Sequence, residues 1–323
     1  MTDLALAPAR GAAPATGAIS AAGLAARIEV PRRLPVRYDG QTIRHLSNSS
    51  YTLFLACPDA WRRRYLLGEK EPPSGAMFLG SRVDETLTHY YRHWLEHRER
   101  LELRELKRFF GANWKQQLAD ENDKRGVAWD ERLDRHTALK LGVRALTIAF
   151  EELVPLLGEP VAVQRRVEFR LAPEIEWTIE GHLDLETRRP VLGAEELVEE
   201  IVDYKVKAGS AITETTAARN PQASLYLAAR WLEGRPAARF QFAQTLIPGA
   251  RRKTLATSLI PTERNVASLR SMLARIALAA SQIAALHDRY GPDRPWGFAD
   301  PTSWKCGPRY CQHWATCPGG AGL

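Results

Sequence analysis

Asp203 and Lys205 stand two residues apart in the run Glu200-Ile201-Val202-Asp203-Tyr204-Lys205-Val206. As a strand, that run puts the carboxylate and the ammonium on one face and turns Val202, Tyr204 and Val206 the other way, into a core. Two charges in so apolar a strand are costly unless they work as a unit. One strand earlier, Gly181-His182-Leu183-Asp184-Leu185 carries a second carboxylate that strand pairing could set beside Asp203. Two carboxylates and a nearby backbone carbonyl suit Mg²⁺ or Mn²⁺, hard cations that prefer oxygen ligands. Such an ion stabilises charge on a scissile phosphate and lowers the pKa of an attacking water. A lysine beside it can orient that water or offset developing negative charge. A lone D-x-K triplet also arises by chance as an ion pair on an edge strand; the upstream carboxylate and the strand context favour the chemical reading.

Cysteine is the second candidate chemistry. The four are Cys57, far upstream, and Cys306, Cys311 and Cys317 near the end. Met1-Thr2-Asp3-Leu4-Ala5 offers no basic n-region and no useful h-region. No apolar run approaches the roughly 18 to 20 residues of a membrane span. The expected setting is therefore cytoplasmic and reducing, without membrane attachment, where clustered thiols point to metal rather than to disulfides. Zinc held by four thiolates is one reading, although the C-x2-C knuckle usual in zinc sites is missing. Free thiols are another.

Other signals carry less. His89, His93 and His97 form one stripe of a predicted helix, but Tyr90, Tyr91 and Trp94 interleave with charges, as on a partly buried face. Arg62-Arg63-Arg64 and Arg251-Arg252-Lys253 could follow a phosphate backbone, with Arg62 and Arg64 the candidates. Short basic runs are more often merely solvated. The formal net charge of +7 and pI near 9.3 allow an anionic partner without requiring one. The chain holds no G-x-x-x-x-G-K-[ST] loop, no H-E-x-x-H and no G-x-S-x-G, which sets aside an ATP motor, a zincin and a serine hydrolase of the elbow type. A helicase or recombination partner would be a separate polypeptide.

Positioning these residues takes an α/β fold. Residues 1–40, rich in Ala, Gly and Pro, are expected to be a disordered tail. Residues 41–318 form one domain: a helical part over about 46–156, a sheet core over about 160–260, and a C-terminal helix with a Cys-rich tail over 261–318. Ser47 and Ser49 are candidate caps for a helix through Tyr51–Leu55, which Cys57-Pro58 interrupts before a second stretch, Ala60 to Leu67. Helices are predicted near 82–98, 104–120 and 133–156. Alternation then predicts strands at 161–163, 167–169, 176–185 and 197–206, the last two joined by a polar stretch, Glu186 to Glu196. A helix over about 217–231 with Pro221 in its first turns, strands near 238–247 and 253–260, and a helix from Pro261 to about Tyr290 follow.

In that order the motifs resemble the RecB-type branch of the PD-(D/E)XK nucleases: Glu168, then G-H-L-D with Asp184, D-Y-K with Asp203 and Lys205, then Gln222-x-x-x-Tyr226. The opening Leu46 to Pro58 and the Cys-rich tail are similar as well, so the resemblance covers about 46–318. It implies a restriction-endonuclease-like core, a central mixed sheet flanked by helices. It implies Asp184, Asp203 and the Tyr204 carbonyl as metal ligands, Lys205 as the catalytic lysine, and Gln222 and Tyr226 beside the active site, with Tyr226 also meeting DNA. Where relatives carry a metal-binding His after a Gly, this chain has Gly80-Ser81-Arg82-Val83-Asp84, so Asp84 would supply oxygen instead. Cys57, Cys306, Cys311 and Cys317 resemble the ligand set of a [4Fe–4S] cluster, with structural Zn²⁺ as the alternative and His313 as a substitute ligand. The implied function is a Mg²⁺- or Mn²⁺-dependent deoxyribonuclease, an exonuclease on single-stranded DNA ends in recombination, repair or phage replication. A catalytically inactive nucleic-acid-binding module and a DNA-processing subunit that depends on a partner complex are the alternatives.

Overall fold

The computed structural model describes residues 29–190, 197–249, 253–297, 299, 306–308, 311 and 313–317. Ser47 caps α1 (Asn48–Ala56), its hydroxyl accepting from the Ser50 amide at 3.2 Å. Cys57 is extended, and Pro58 opens α2 (Pro58–Trp61) at a position where a missing N–H costs nothing. α2 runs on into a π-helical turn, Arg62–Leu66. α3 (Gly75–His97) begins well before the expected Arg82, because the Ser74 side chain caps it by accepting from the Met77 amide at 3.3 Å. α4 (Leu103–Lys124) and α5 (Arg135–Ile148) complete the helical region before the long strands.

The described strands form one mixed sheet: β1 (His45–Ser47), β2 (Glu159–Phe169), β3 (Thr178–Pro190), β4 (Leu197–Lys207), β5 (Arg239–Leu246) and β6 (Ala256–Thr262). β2 lies antiparallel along one edge of β3, from Glu159↔Arg188 to Phe169↔Ile179. The other edge of β3 is shared. β4 takes Leu185 to Pro190, antiparallel, and β1 takes Thr178 to Glu180, parallel. Gly181 to Asp184 is left between those two neighbours, unpaired on that side. β4 runs on past Val202 beside β5, parallel as far as Lys207↔Leu246. A parallel pair needs a crossover, which α6 (Glu214–Ala218) and α7 (Pro221–Leu232) supply. β6 closes the sheet against β5, and α8 (Val266–Tyr290) packs on α7.

Each face of the sheet has its own core. α1, α2, α7 and α8 bury Phe54, Trp61, Ala228 and Ile276 with Ile179, Ile201 and Phe240 of the strands. α3, α4 and α5 bury Leu79, Leu87, Phe110 and Leu146 with Leu185, Val202 and Tyr204. The architecture is the predicted α/β sheet flanked by helices.

Several expectations change in detail. Within residues 29–40 the chain is anchored to the domain: Leu34 is buried, and the Arg32 carbonyl accepts from the Glu176 amide at 2.9 Å. The rest of the tail, residues 1–28, lies outside the described residues, as do 191–196 of the polar turn and Arg251 and Arg252 of the second basic run. β2 is one strand where two short ones were expected. The crossover helix is two helices, because Asn220 caps a fresh start at Pro221. Pro261 belongs to β6, which among the described residues pairs with β5 alone; an edge strand tolerates a missing donor. α8 is one helix long and apolar enough to cross a membrane by length and composition, although no such run was expected. Its apolar stripe, Leu269, Leu273, Ile276 and Ile283, is buried in the core.

Candidate active site

Past the Leu185↔Val202 pair, β3 and β4 part company. Asp184 and Asp203 are the first residues beyond that pair on each strand. Asp184 Oδ2 accepts from the Tyr204 amide at 3.1 Å, a bond across the opening. Asp203 is 1% exposed; its Oδ1 accepts from Gln222 Nε2 at 2.6 Å, and its Oδ2 faces Lys205 Nζ at 2.5 Å. Asp203 and Lys205 thus share a face, while Val202, Tyr204 and Val206 pack in the opposite core, as strand alternation requires.

Gln222 and Tyr226 arrive on α7, one turn apart. Arg230, a further turn along and buried, pairs with Glu186 of β3 at 2.7 Å and with Glu199 of β4, which locks the helix to the sheet. Tyr226 lies against the unpaired stretch of β3: a Cβ on Gly181 would come within 2.4 Å of its ring. The glycine of G-H-L-D is therefore there for close approach, a need that the sequence motif contains but does not explain. Arg230 also went unassigned in the sequence, although its spacing of four from Tyr226 was a signal.

Asp84 comes from α3, and its charge is felt by Asp184, Lys205 and Tyr204. Burial, with repulsion from Asp203 and only partial relief from Lys205, pushes the Asp84 carboxyl up to about 6. Asp184 is raised well above its usual value by burial and by both other carboxylates. Burial works against the Lys205 ammonium, but Asp203 and Asp184 outweigh it and hold the lysine protonated. Asp84 Oδ1 is buried without a hydrogen-bond partner. Three crowded carboxylates and an orphaned oxygen are a donor set that suits a hard divalent cation. Among the described residues, no three His, Cys, Asp or Glu side chains are gathered tightly enough to grip an ion as they stand.

Other expected site residues lie elsewhere. Glu168 is exposed and pairs with Arg166 at 2.8 Å. Arg62 must be corrected as a DNA contact: it is 3% exposed, with Nε on Asp59 at 2.7 Å and Nη1 on the Pro292 carbonyl at 2.5 Å. A guanidinium buried on these partners is not presented to a phosphate backbone at the surface. Arg64, on the same turn, is exposed with its guanidinium near the Tyr65 ring. His89 stacks on Phe109 at 4.0 Å, which accounts for part of the histidine stripe.

Cys57, Cys306, Cys311 and Cys317 are free thiols, each partly buried. Burial raises the Cys311 thiol, and the other three cysteines raise it further. The His313 amide donates to Cys311, and the Ala60 amide to Cys57 Sγ at 3.4 Å. The His313 ring has its Nδ1 3.6 Å from Glu69.

Residues 45–318 match the sequence profile of the PD-(D/E)XK nuclease superfamily. The chain belongs to that superfamily, a class of hydrolytic nucleases, and its mixed sheet flanked by helices is the corresponding restriction-endonuclease-like fold. No curated protein sequence matches it. Among solved structures, a candidate exonuclease from Eubacterium rectale superposes with a TM-score of 0.48 at 15% identity, covering 81% of this chain and 87% of that one. A likeness at that level carries no argument about activity, so the assignment rests on the family profile.

Proposed function

We propose that this chain is a Mg²⁺- or Mn²⁺-dependent deoxyribonuclease, an exonuclease on single-stranded DNA ends in recombination, repair or phage replication. The observation that carries the reading is the meeting of Asp84, Asp184, Asp203 and Lys205 where β3 and β4 part. Asp184, Asp203, Asp84 and the Tyr204 carbonyl are the groups that would hold the metal. When bound, such an ion supplies Lewis-acid stabilisation of a phosphoryl oxygen and a more acidic water. Lys205 presents a protonated ammonium, held by Asp203, to charge developing on the phosphate. Gln222 fixes the Asp203 carboxylate, and the buried Tyr226 ring closes the side of the site beside Gly181. DNA, most directly a single strand, is the partner, with Arg64 and Tyr226 as contacts.

The cysteines are read as ligands of a structural [4Fe–4S] cluster. Support comes from the electrostatic influence of Cys57, Cys306 and Cys317 on Cys311, which brings the four into one neighbourhood, and from backbone amides donating to two of the sulfurs, the kind of hydrogen bond that cluster sulfurs accept. Anaerobically purified protein should then contain iron and acid-labile sulfide. Stoichiometric zinc without iron would replace the cluster with the zinc alternative.

The experiment for the nuclease reading is cleavage of end-labelled single- and double-stranded DNA with Mg²⁺, Mn²⁺ or EDTA. Cutting that needs the cation and starts from single-stranded ends supports it. Cutting that persists in EDTA tells against it.

A further inference from the structure

Beyond Asp203 and Lys205, the same face of β4 carries one more charged side chain. Lys207 is two residues past Lys205, opposite Leu246 of β5. Along this face exposure rises: Asp203 is buried, Lys205 is one-third exposed at its side chain, and Lys207 is half-buried before Ala208 and Gly209 reach solvent. The row thus runs from the floor of the site to its rim.

The two lysines are not equivalent. Lys205 is balanced by Asp203, Asp184 and Asp84. Lys207 makes no ion pair among the described residues, and the charge it feels is the like charge of Lys205. Its place is nevertheless well defined. Its carbonyl accepts from the Ile247 amide at 2.9 Å. The chain just beyond is pinned twice: Gln244 brackets Ile212, accepting from its amide at 2.8 Å and donating to its carbonyl at 2.7 Å, and a Cβ on Gly249 would come within 2.3 Å of the Ala208 carbonyl. A half-buried ammonium on so fixed a stretch of backbone, beside a second ammonium and with no carboxylate partner among the described residues, is a cost that those residues do not recover. An anion at the rim would recover it.

We infer that Lys207 is a subsite residue that holds the phosphate next to the scissile one on the nucleic-acid strand. The inference rests on the nuclease reading of the neighbouring site. Strand residues two apart are separated by about 6.6 Å, comparable with the spacing of neighbouring phosphates along an extended single strand. With Lys205 at the scissile phosphate, Lys207 meets the next. It acts as a point charge that positions substrate and touches no reacting atom, so it is a binding residue rather than a catalytic one.

The test compares wild type, Lys207→Gln and Lys207→Arg. Substrates are an oligothymidylate and a dinucleoside monophosphate, which has a single phosphodiester and no neighbouring phosphate. On the oligonucleotide, Lys207→Gln should raise KM about tenfold with little change in kcat, and Lys207→Arg should recover most of that loss. The loss should be roughly tenfold larger on the oligonucleotide than on the dinucleoside monophosphate. In binding titrations with labelled oligothymidylate in EDTA, the slope of log K against log salt should become shallower by about 0.7 in Lys207→Gln, the value for one phosphate contact on a single strand. Equal losses on both substrates, or an unchanged salt slope, would overturn the subsite. Failure of wild type to cut either substrate counts against the nuclease reading instead, and the binding slope, which needs no cutting, still decides Lys207.

Discussion

At the scale of single residues, the site is defined by charges that cannot relax alone. Asp84 and Asp184 are both raised, chiefly by burial and also by the charge of Asp203, with Asp84 adding to the shift of Asp184. In metal-free protein this has a signed consequence. A carboxyl held at about 6 in the folded state and near 4 when unfolded keeps its proton through that window only when folded, so stability is greatest below the unfolded value and falls as pH rises toward about 6. Thermal melts in EDTA should show that fall between about pH 4 and 6, and Asp84→Asn should flatten it. A melt that rises with pH in wild type and variant alike would contradict the carboxylate cluster. Gly181 is the second residue-scale device. Gly181→Ala should push Tyr226 off β3, costing about 1–3 kcal/mol of stability in chemical denaturation. A neutral result would mean that Tyr226 is not confined there. Arg62 shows where residue type misleads: within a run of three arginines it reads as a phosphate contact, but Asp59, three residues earlier, turns it inward. That spacing was present in the sequence and was the better guide.

At the scale of elements, the opening between β3 and β4 is made by register. β1 and β4 share one edge of β3 and leave Gly181 to Asp184 bare, while β2 supports the other edge. Opposite Asp184, Gln164 of β2 sits at φ +49°, in the left-handed region, and its Nε2 donates to Thr88 Oγ1 of α3 at 3.3 Å, one turn beyond Asp84. The strained residue thus ties the supporting strand to the helix that delivers Asp84. Gln164→Val should lose about 1–3 kcal/mol, and Gln164→Gly, which suits that backbone, should lose less. Equal stability of the two variants would mean that Gln164 stores no backbone strain. The alternation of Val202, Asp203, Tyr204 and Lys205 was legible in the sequence because it is local, and so was the Cys57-Pro58 break. The vacant stretch of β3 was not, because it depends on two strands far apart in the chain ending short of one another. Pro261 was misplaced for the same reason: whether a proline suits a strand depends on whether that strand lies at the sheet edge.

At the scale of the molecule, the two ends of the described chain are joined through α2. Asp59, buried, accepts from the Trp296 amide at 3.1 Å and pairs with Arg62 and Arg63, while Trp61 stacks on Trp296 at 5.7 Å. Cys57 begins the same helix, so a cluster joining it to the C-terminal cysteines would reinforce a connection that packing already makes. Removing the acid leaves buried guanidinium charge uncompensated, and Asp59→Ala should cost about 3–5 kcal/mol, read as a shift of the denaturation midpoint. A loss below about 1 kcal/mol would match an exposed pair instead. Composition and charge said little at this scale; the superfamily profile, matching residues 45–318, shows the class, and in the proposed reading the four side chains meeting at one strand opening carry the chemistry.

The measurement that reaches that claim most directly is a comparison of wild type with Lys205→Ala for DNA cleavage, DNA binding and folding in the same Mg²⁺ buffer. The variant should fold and still bind DNA, while its cleavage falls by at least roughly 100-fold. Undiminished cleavage by that folded variant would contradict the assignment of Asp203 and Lys205 as the working centre.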